Sequence, residues 1–193
     1  MVDSRETSML NLDDLPKPIK LDIGSGVKTS LENPDWLGVD AYAEADIKAL
    51  MWDLPFPDGS VDSILSSQSL EHISKFNIIP TLREWRRVLK PGGKLQIQVP
   101  DLEWSCWWWL THQSVEWDLD ILYGTQKHGG EYHLTGYTPK ILKDYIDICG
   151  GFIVHKVEYW GGTPTNLCYF PNNMIQSEIN QRIINMEISR DES

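Results

Sequence analysis

The sequence predicts a three-layer α/β/α sandwich on a mostly parallel sheet, with an antiparallel last strand. Three observations predict it. Short apolar runs alternate with segments of helical period, which implies parallel pairing with helices over the sheet faces. Ile19–Ile23 is stopped by Gly24 and Gly26, the pattern of a buried strand entering a tight turn. Two late strand-like runs, 152–160 and 167–170, are joined by Gly161-Gly162-Thr163-Pro164 and imply an antiparallel edge.

Residues 1–18 are polar, close with Pro16 and Pro18, and read as an arm. After the first strand, Trp36–Val39 is a second run, ending on Asp40, and a weaker third lies near Asp46–Leu50. A proline-fixed turn, Leu54–Gly59, precedes a strand over Val61–Leu65. Ile78, Leu82, Trp85 and Leu89 then recur every three or four residues with Arg83, Glu84 and Arg87 off that face, a helix closed by Lys90-Pro91-Gly92-Gly93. Leu95, Ile97 and Val99 alternate with Gln96 and Gln98 as a strand ending at Pro100-Asp101. Residues 102–123 read as helical and aromatic-rich, and 124–137 as a Gly-rich loop. Thr138 caps a helix running to about Cys149. From Pro171 the chain reads as a tail with one amphipathic helix, giving an arm at 1–18, a domain at 19–170 and a tail at 171–193.

Composition excludes several classes. With 193 residues the chain suits a single core, and no stretch has the length a membrane span needs. The polar N-terminus lacks a signal-peptide pattern, so a cytoplasmic protein is expected. Three scattered cysteines, Cys106, Cys149 and Cys168, form neither a disulfide framework nor a CxxC zinc pair. A net charge of −11 argues against a nucleic-acid partner, because phosphate binding needs basic surface. A small molecule, a sugar or a protein remains open as partner. Four of the nine tryptophans fall within Trp104–Trp109. Three consecutive tryptophans on a helix cannot all face one core, so this run divides between core and a cleft, a ring-bearing ligand or a contact between two copies.

Three segments carry candidate chemistry. At Gly24-Ser25-Gly26 the missing Cβ atoms let a ligand approach the backbone, but Thr29 stands where a dinucleotide fingerprint needs its third glycine. Asp40, ending the second strand, can accept both hydroxyls of a ribose; a helix cap or surface acid is the alternative. Asp53, in its proline-rich turn, can accept from an adenine amine alongside the Leu54 backbone, or simply decorate a rigid turn.

In this order LDIGSG, GVD, DLPFPDGSVD, SLEHI and LREWRRVLKPGGKLQIQVPD resemble the successive motifs of class I S-adenosylmethionine-dependent methyltransferases, in the small type 11-like subgroup. The resemblance spans residues 19–101 and, more loosely, HLTGYT and GGF up to about 152. It implies a Rossmann-like methyltransferase fold with S-adenosylmethionine as cofactor. Asp22, Gly24, Ser25 and Gly26 would cradle the methionine part, Asp40 with Ala41 the ribose, and Asp53 with Leu54 the adenine. Ser67 and Gln68 would lie near the methionine amine and the reactive methyl. Val27 departs from a further glycine common in the family.

Catalytic candidates are Glu71, His72 and His133. Histidine titrates near neutral pH and suits removal of a hydroxyl proton. His133, in the Gly-rich loop with His128, matches a histidine that relatives place there and is the first choice of base. Each histidine could equally brace its own segment. Relatives that hold a metal near Glu71-His72 carry an acid where Gln68 stands, and His128, Glu131 and His133 follow no standard ligand spacing; no metal is expected. The resemblance implies methyl transfer to oxygen of a sugar, a glycolipid precursor or a similar metabolite. The alternatives are a non-catalytic nucleoside-binding or interaction module on the same fold and a nicotinamide oxidoreductase, the latter disfavoured by Thr29 and the lack of a Tyr-xxx-Lys pair.

Overall fold

The computed structural model describes residues 12–26, 33–112, 118–127, 130–160 and 183–192. One sheet holds β1 (Lys20–Ile23), β2 (Leu37–Asp40), β3 (Ile47–Lys48), β4 (Val61–Ser67), β5 (Leu89–Pro100), β6 (Phe152–Trp160) and β7 (Ile183–Arg190). The strand order is β3-β2-β1-β4-β5-β7-β6. β1 to β5 pair in parallel, and β7 runs antiparallel to both β5 and β6. The helices are α1 (Lys75–Val88), α2 (Leu102–His112), α3 (Asp118–Tyr123) and α4 (Pro139–Cys149). The mostly parallel sheet with an antiparallel last strand is the predicted architecture.

Apolar periodicity explains most elements. Leu21 and Ile23 on β1, Leu95, Ile97 and Val99 on β5, and Ile78, Leu82 and Trp85 on α1 are all buried to 1% exposure or less. Each such side chain contributes roughly 1.5–3 kcal/mol on leaving water. The ends of α4 follow local chemistry. Thr138 Oγ1 accepts from Ile141 N at its start, and Gly150, at φ 70°, terminates it.

Four expectations change. α1 ends at Val88, and Leu89 already opens β5. Lys90-Pro91-Gly92-Gly93 is a bulge inside that strand: Val61 pairs with Leu89 and Ser63 with Lys94, so two steps along β4 match five along β5. Gly92 holds φ 71°, and a Cβ on Gly93 would sit 2.8 Å from Lys90 O, so glycine alone fits the bulge.

The tail expected to be helical contains β7, inserted between β5 and β6, so the sheet extends past the expected boundary at 170. Ile184, Met186 and Ile188 recur with period two, and all three are buried. β7 is therefore the antiparallel partner of β6; the expected strand at 167–170 lies outside the described residues.

The arm, from Leu12 onward, is not free. Leu12–Asp14 makes a 3-10 turn, and Leu12 and Leu15 pack against the core. The tryptophans divide as the helix geometry requires. Trp104 and Trp108 stack at 5.3 Å in a small second core with Ile121, Trp107 meets Trp108 edge-on, and Trp109 is exposed. Among the described residues no helix is long and apolar enough to cross a membrane.

Candidate active site

The candidate residues gather at the carboxyl ends of β1, β2 and β4, where open parallel sheets bind ligands. β1 delivers Asp22 to a turn in which Gly24 N donates to Val39 O at 2.7 Å. Gly24 has φ 75°, and a Cβ there would lie 2.3 Å from Ser69 Cβ, whereas one on Gly26 would meet nothing within 4 Å among the described residues. The backbone at Gly24 is thus pressed onto Ser69, and that at Gly26 is not.

Asp40 holds two turns through its two oxygens. Its Oδ1 accepts from Tyr42 N at 2.7 Å and Ala43 N at 2.9 Å, holding the turn that contains Ala41, while Oδ2 accepts from Gly26 N at 3.1 Å. It therefore ties the β1 and β2 turns together. The outer lone pair of Oδ2 is what a ribose hydroxyl could meet.

Asp53 and Leu54 separate. Asp53 is exposed, whereas Leu54 is turned into the core at 3% exposure. Leu54 N donates to Glu84 Oε1 at 2.8 Å, and Leu54 O accepts from Arg87 Nη2 at 3.2 Å. Both backbone groups of Leu54 are spent inside the fold, so the expectation that they meet an adenine is corrected; the Asp53 carboxylate is the open member. Arg87 also grips Glu84 through two bonds of 2.7 and 2.8 Å, Phe56 O at 2.8 Å and Asp58 at 2.7 Å. Placing Arg87 off the apolar face of the helix does not reveal this clamp. Its only sequence signal is an acid and a base three residues apart on the helix that follows the proline turn.

At the end of β4, Ser67 Oγ donates to Gln98 Oε1 at 2.8 Å. Gln68 has φ 50° and donates its N–H to Gln98 O, and its buried Nε2 has no hydrogen-bond partner among the described residues. Ser66 and Ser69, not singled out from sequence, share a 2.7 Å hydroxyl contact beneath Gly24, and Ser69 Oγ donates to Ile23 O.

Glu71, His72 and His133 converge. Glu71 and His72 lie on a 3-10 turn, Leu70–His72, ahead of α1 rather than at its start. The loop at 130–137 is strapped onto that turn. Leu134 N and Thr135 N donate to Glu71 O, Thr135 Oγ1 to Ile73 O, and Tyr137 OH to Leu70 O. His133 is thereby brought edge-on to His72, with ring centroids 5.0 Å apart. His128 lies outside the described residues. Each ring faces a backbone carbonyl through Nδ1, His72 at Tyr132 O and His133 at Ile121 O, both at 3.1 Å. A carbonyl only accepts, so each Nδ1 carries a proton, and in the neutral ring Nε2 is the atom that presents its lone pair.

Burial dominates the electrostatics. Glu71 is 2% exposed, and desolvation pushes its carboxyl up to about 8, against a weaker opposing bond from its own backbone. Burial, then the neighbouring His72, push His133 below the ordinary histidine value, partly offset by the Ile121 carbonyl. A cavity of about 160 Å³ opens beside them, lined by Glu71, Ser105, Ile121, Tyr123, His133 and Thr135 among others.

A family model described as "Methyltransferase domain" matches residues 21–97, the stretch from β1 to β5. Among solved structures, a SAM-dependent methyltransferase of Methanosarcina mazei is similar at TM-score 0.63 and 14% identity, over 96% of this chain and 100% of that one. The YcgJ protein of Bacillus subtilis gives 0.59 and 17% over 90% and 92%. The 1,6-didemethyltoxoflavin-N1-methyltransferase of Burkholderia thailandensis, solved with 1,6-didemethyltoxoflavin and S-adenosylhomocysteine bound, gives 0.54 and 11% over 90% and 71%. No protein of curated function matches in sequence. Residues 21–97 thus match a methyltransferase domain, and the strand order is that of the Rossmann-like fold of S-adenosylmethionine-dependent methyltransferases.

Proposed function

We propose that the protein transfers a methyl group from S-adenosylmethionine to an oxygen of a small acceptor such as a sugar, a glycolipid precursor or a similar metabolite. The observation that carries this reading is the convergence of Glu71, His72 and His133 beside a cavity of about 160 Å³, room for part of a small metabolite.

The sulfonium cofactor supplies an activated methyl group, so catalysis reduces largely to holding the acceptor in line and removing its proton. The chain's residues suit those tasks. Asp22, the Gly24–Gly26 turn, and Gln68, whose Nε2 has no partner among the described residues, would hold the methionine part, Asp40 the ribose and Asp53 the adenine amine. Ser67, whose hydroxyl is occupied by Gln98, would serve by setting the Gln98 and Gln68 backbone. His133, whose burial favours the neutral ring, can accept a hydroxyl proton at Nε2. Among structures of similar fold, the 1,6-didemethyltoxoflavin-N1-methyltransferase holds a small molecule together with S-adenosylhomocysteine, in keeping with a small acceptor here.

Calorimetric titration with S-adenosylmethionine and, separately, NAD tests the cofactor. Release of S-adenosylhomocysteine across a panel of sugars and phenols then tests the acceptor. Binding of S-adenosylmethionine with turnover lost in His133→Ala is the expected result. A folded protein that binds no S-adenosylmethionine would instead favour an interaction module.

A further inference from the structure

We propose that Glu71, His72 and His133 bind a divalent transition-metal ion, as a site of two histidines and one carboxylate that keeps open positions toward the neighbouring cavity. Three independent features of the site carry this. One ligand atom from each residue lies within 4.8 Å of the others. The Glu71 side chain is buried to 2% exposure, yet its Oε2 has no hydrogen-bond partner among the described residues. Buried carboxyl oxygens are rarely left so, because losing water without replacement costs several kcal/mol. A cation supplies the missing partner.

The third feature is the way the rings are held. Both Nδ1 atoms are buttressed by backbone carbonyls, which fixes the tautomer with Nε2 free. Such a second bond is the usual support of a metal-bound histidine, since it orients the ring and raises its basicity. Two imidazoles and one carboxylate favour zinc, cobalt, manganese or iron(II) over magnesium and calcium, which prefer all-oxygen sites. Ligand distances near 2.1 Å would draw the three atoms to about 3.4 Å apart.

Because Glu71 and His133 line the cavity, the remaining positions face the space assigned to the acceptor. A hydroxyl bound there is acidified by the ion. His133 then acts as a ligand, and the proton of the acidified hydroxyl passes to water rather than to a protein base. The site itself does not depend on which acceptor is used.

Untagged protein, stripped with a chelator, is titrated with Co2+ while its visible d–d absorption is followed, then with Zn2+ as competitor and Mg2+ as control. S-adenosylmethionine binding is measured on the same preparation, so loss of the cofactor reading and loss of the metal reading are separable. One Co2+ per chain, displaced by Zn2+ and not by Mg2+, is expected. His72→Gln and His133→Ala should each weaken it by at least about 100-fold. His155→Gln, on β6, should leave it unchanged. Circular dichroism establishes that each variant is folded; His72 is only half-buried, so its variant keeps the test decisive should His133→Ala fail to fold. No saturable Co2+ or Zn2+ binding by the folded protein, or wild-type Co2+ affinity in folded His72→Gln, would overturn the proposal.

Discussion

Ser69 fills the space that a side chain at Gly24 would need: a Cβ there would lie 2.3 Å from Ser69 Cβ and 2.8 Å from its Oγ. This contact locks the turn after β1 to the turn after β4, and Ser69 reinforces it by donating to Ile23 O. Gly24→Ala therefore meets both a clash and a positive φ, and should cost about 2–4 kcal/mol in urea unfolding. Adding Ser69→Gly should recover the clash but not the backbone strain of about 1 kcal/mol. Equal stability of the single and double variants would show that the contact does not set the turn.

Asp40 holds the β1 and β2 turns and, under the proposed function, the ribose, and two substitutions separate these tasks. Asn keeps an acceptor for Tyr42 N and Ala43 N but loses the charge, whereas Ala loses both. Asp40→Asn turns its amide NH2 onto the Gly26 N–H and so should lose about 1 kcal/mol of stability, and bind S-adenosylmethionine about 10-fold more weakly. Asp40→Ala should bind about 100-fold more weakly and also melt earlier. Calorimetry and thermal melting on the two variants read the two effects apart.

The Arg87 clamp predicts that geometry, not charge alone, holds the proline turn. The guanidinium bonds Glu84 at both oxygens and reaches Leu54 O, Phe56 O and Asp58 as well. Lysine lacks that fork. Arg87→Lys should therefore lose about 1–2 kcal/mol after allowing for partial exposure, close to the loss in Arg87→Met. A melt in which lysine restores full stability would refute the clamp.

Asp62 predicts the acid side of the stability curve. Burial raises its pKa, but its bond from Lys90, the Ile19 N–H at 2.8 Å and the Lys90 charge together outweigh that and lower it below 3.8. A carboxyl depressed in the folded state contributes stability that is fully present above the unfolded pKa and is lost as pH falls through the folded one. Asp62→Asn should thus reduce stability at neutral pH and flatten its decline below about pH 4. Urea midpoints measured at pH 7, 4 and 3 check this; parallel curves for the two proteins would contradict it.

Much of the fold was legible because burial writes a period into the chain. Ile78, Leu82 and Trp85 announced α1, and Leu95, Ile97 and Val99 announced β5, since each element has one dominant apolar face. β7 was missed although Ile184, Met186 and Ile188 alternate, because distant pairing decides whether so short a run becomes strand or helix. The bulge at Lys90–Gly93 was read as a helix stop for a related reason. Pro-Gly-Gly breaks a helix and bulges a strand equally well, and the neighbouring β4 makes the choice.

By itself, the sequence determined the parallel order of strands and helices, the glycine turn at Gly24–Gly26 and the acid closing β2, all properties of contiguous residues. Tertiary structure alone decided that Leu54 turns inward to Glu84, that Arg87 clamps the loop, and that His133 meets Glu71 and His72 across some sixty residues of chain. Local chemistry encodes periods, caps and turns. Contacts between distant residues depend on which backbone groups the packed sheet leaves to be satisfied, and those become defined only when the chain has closed around its core.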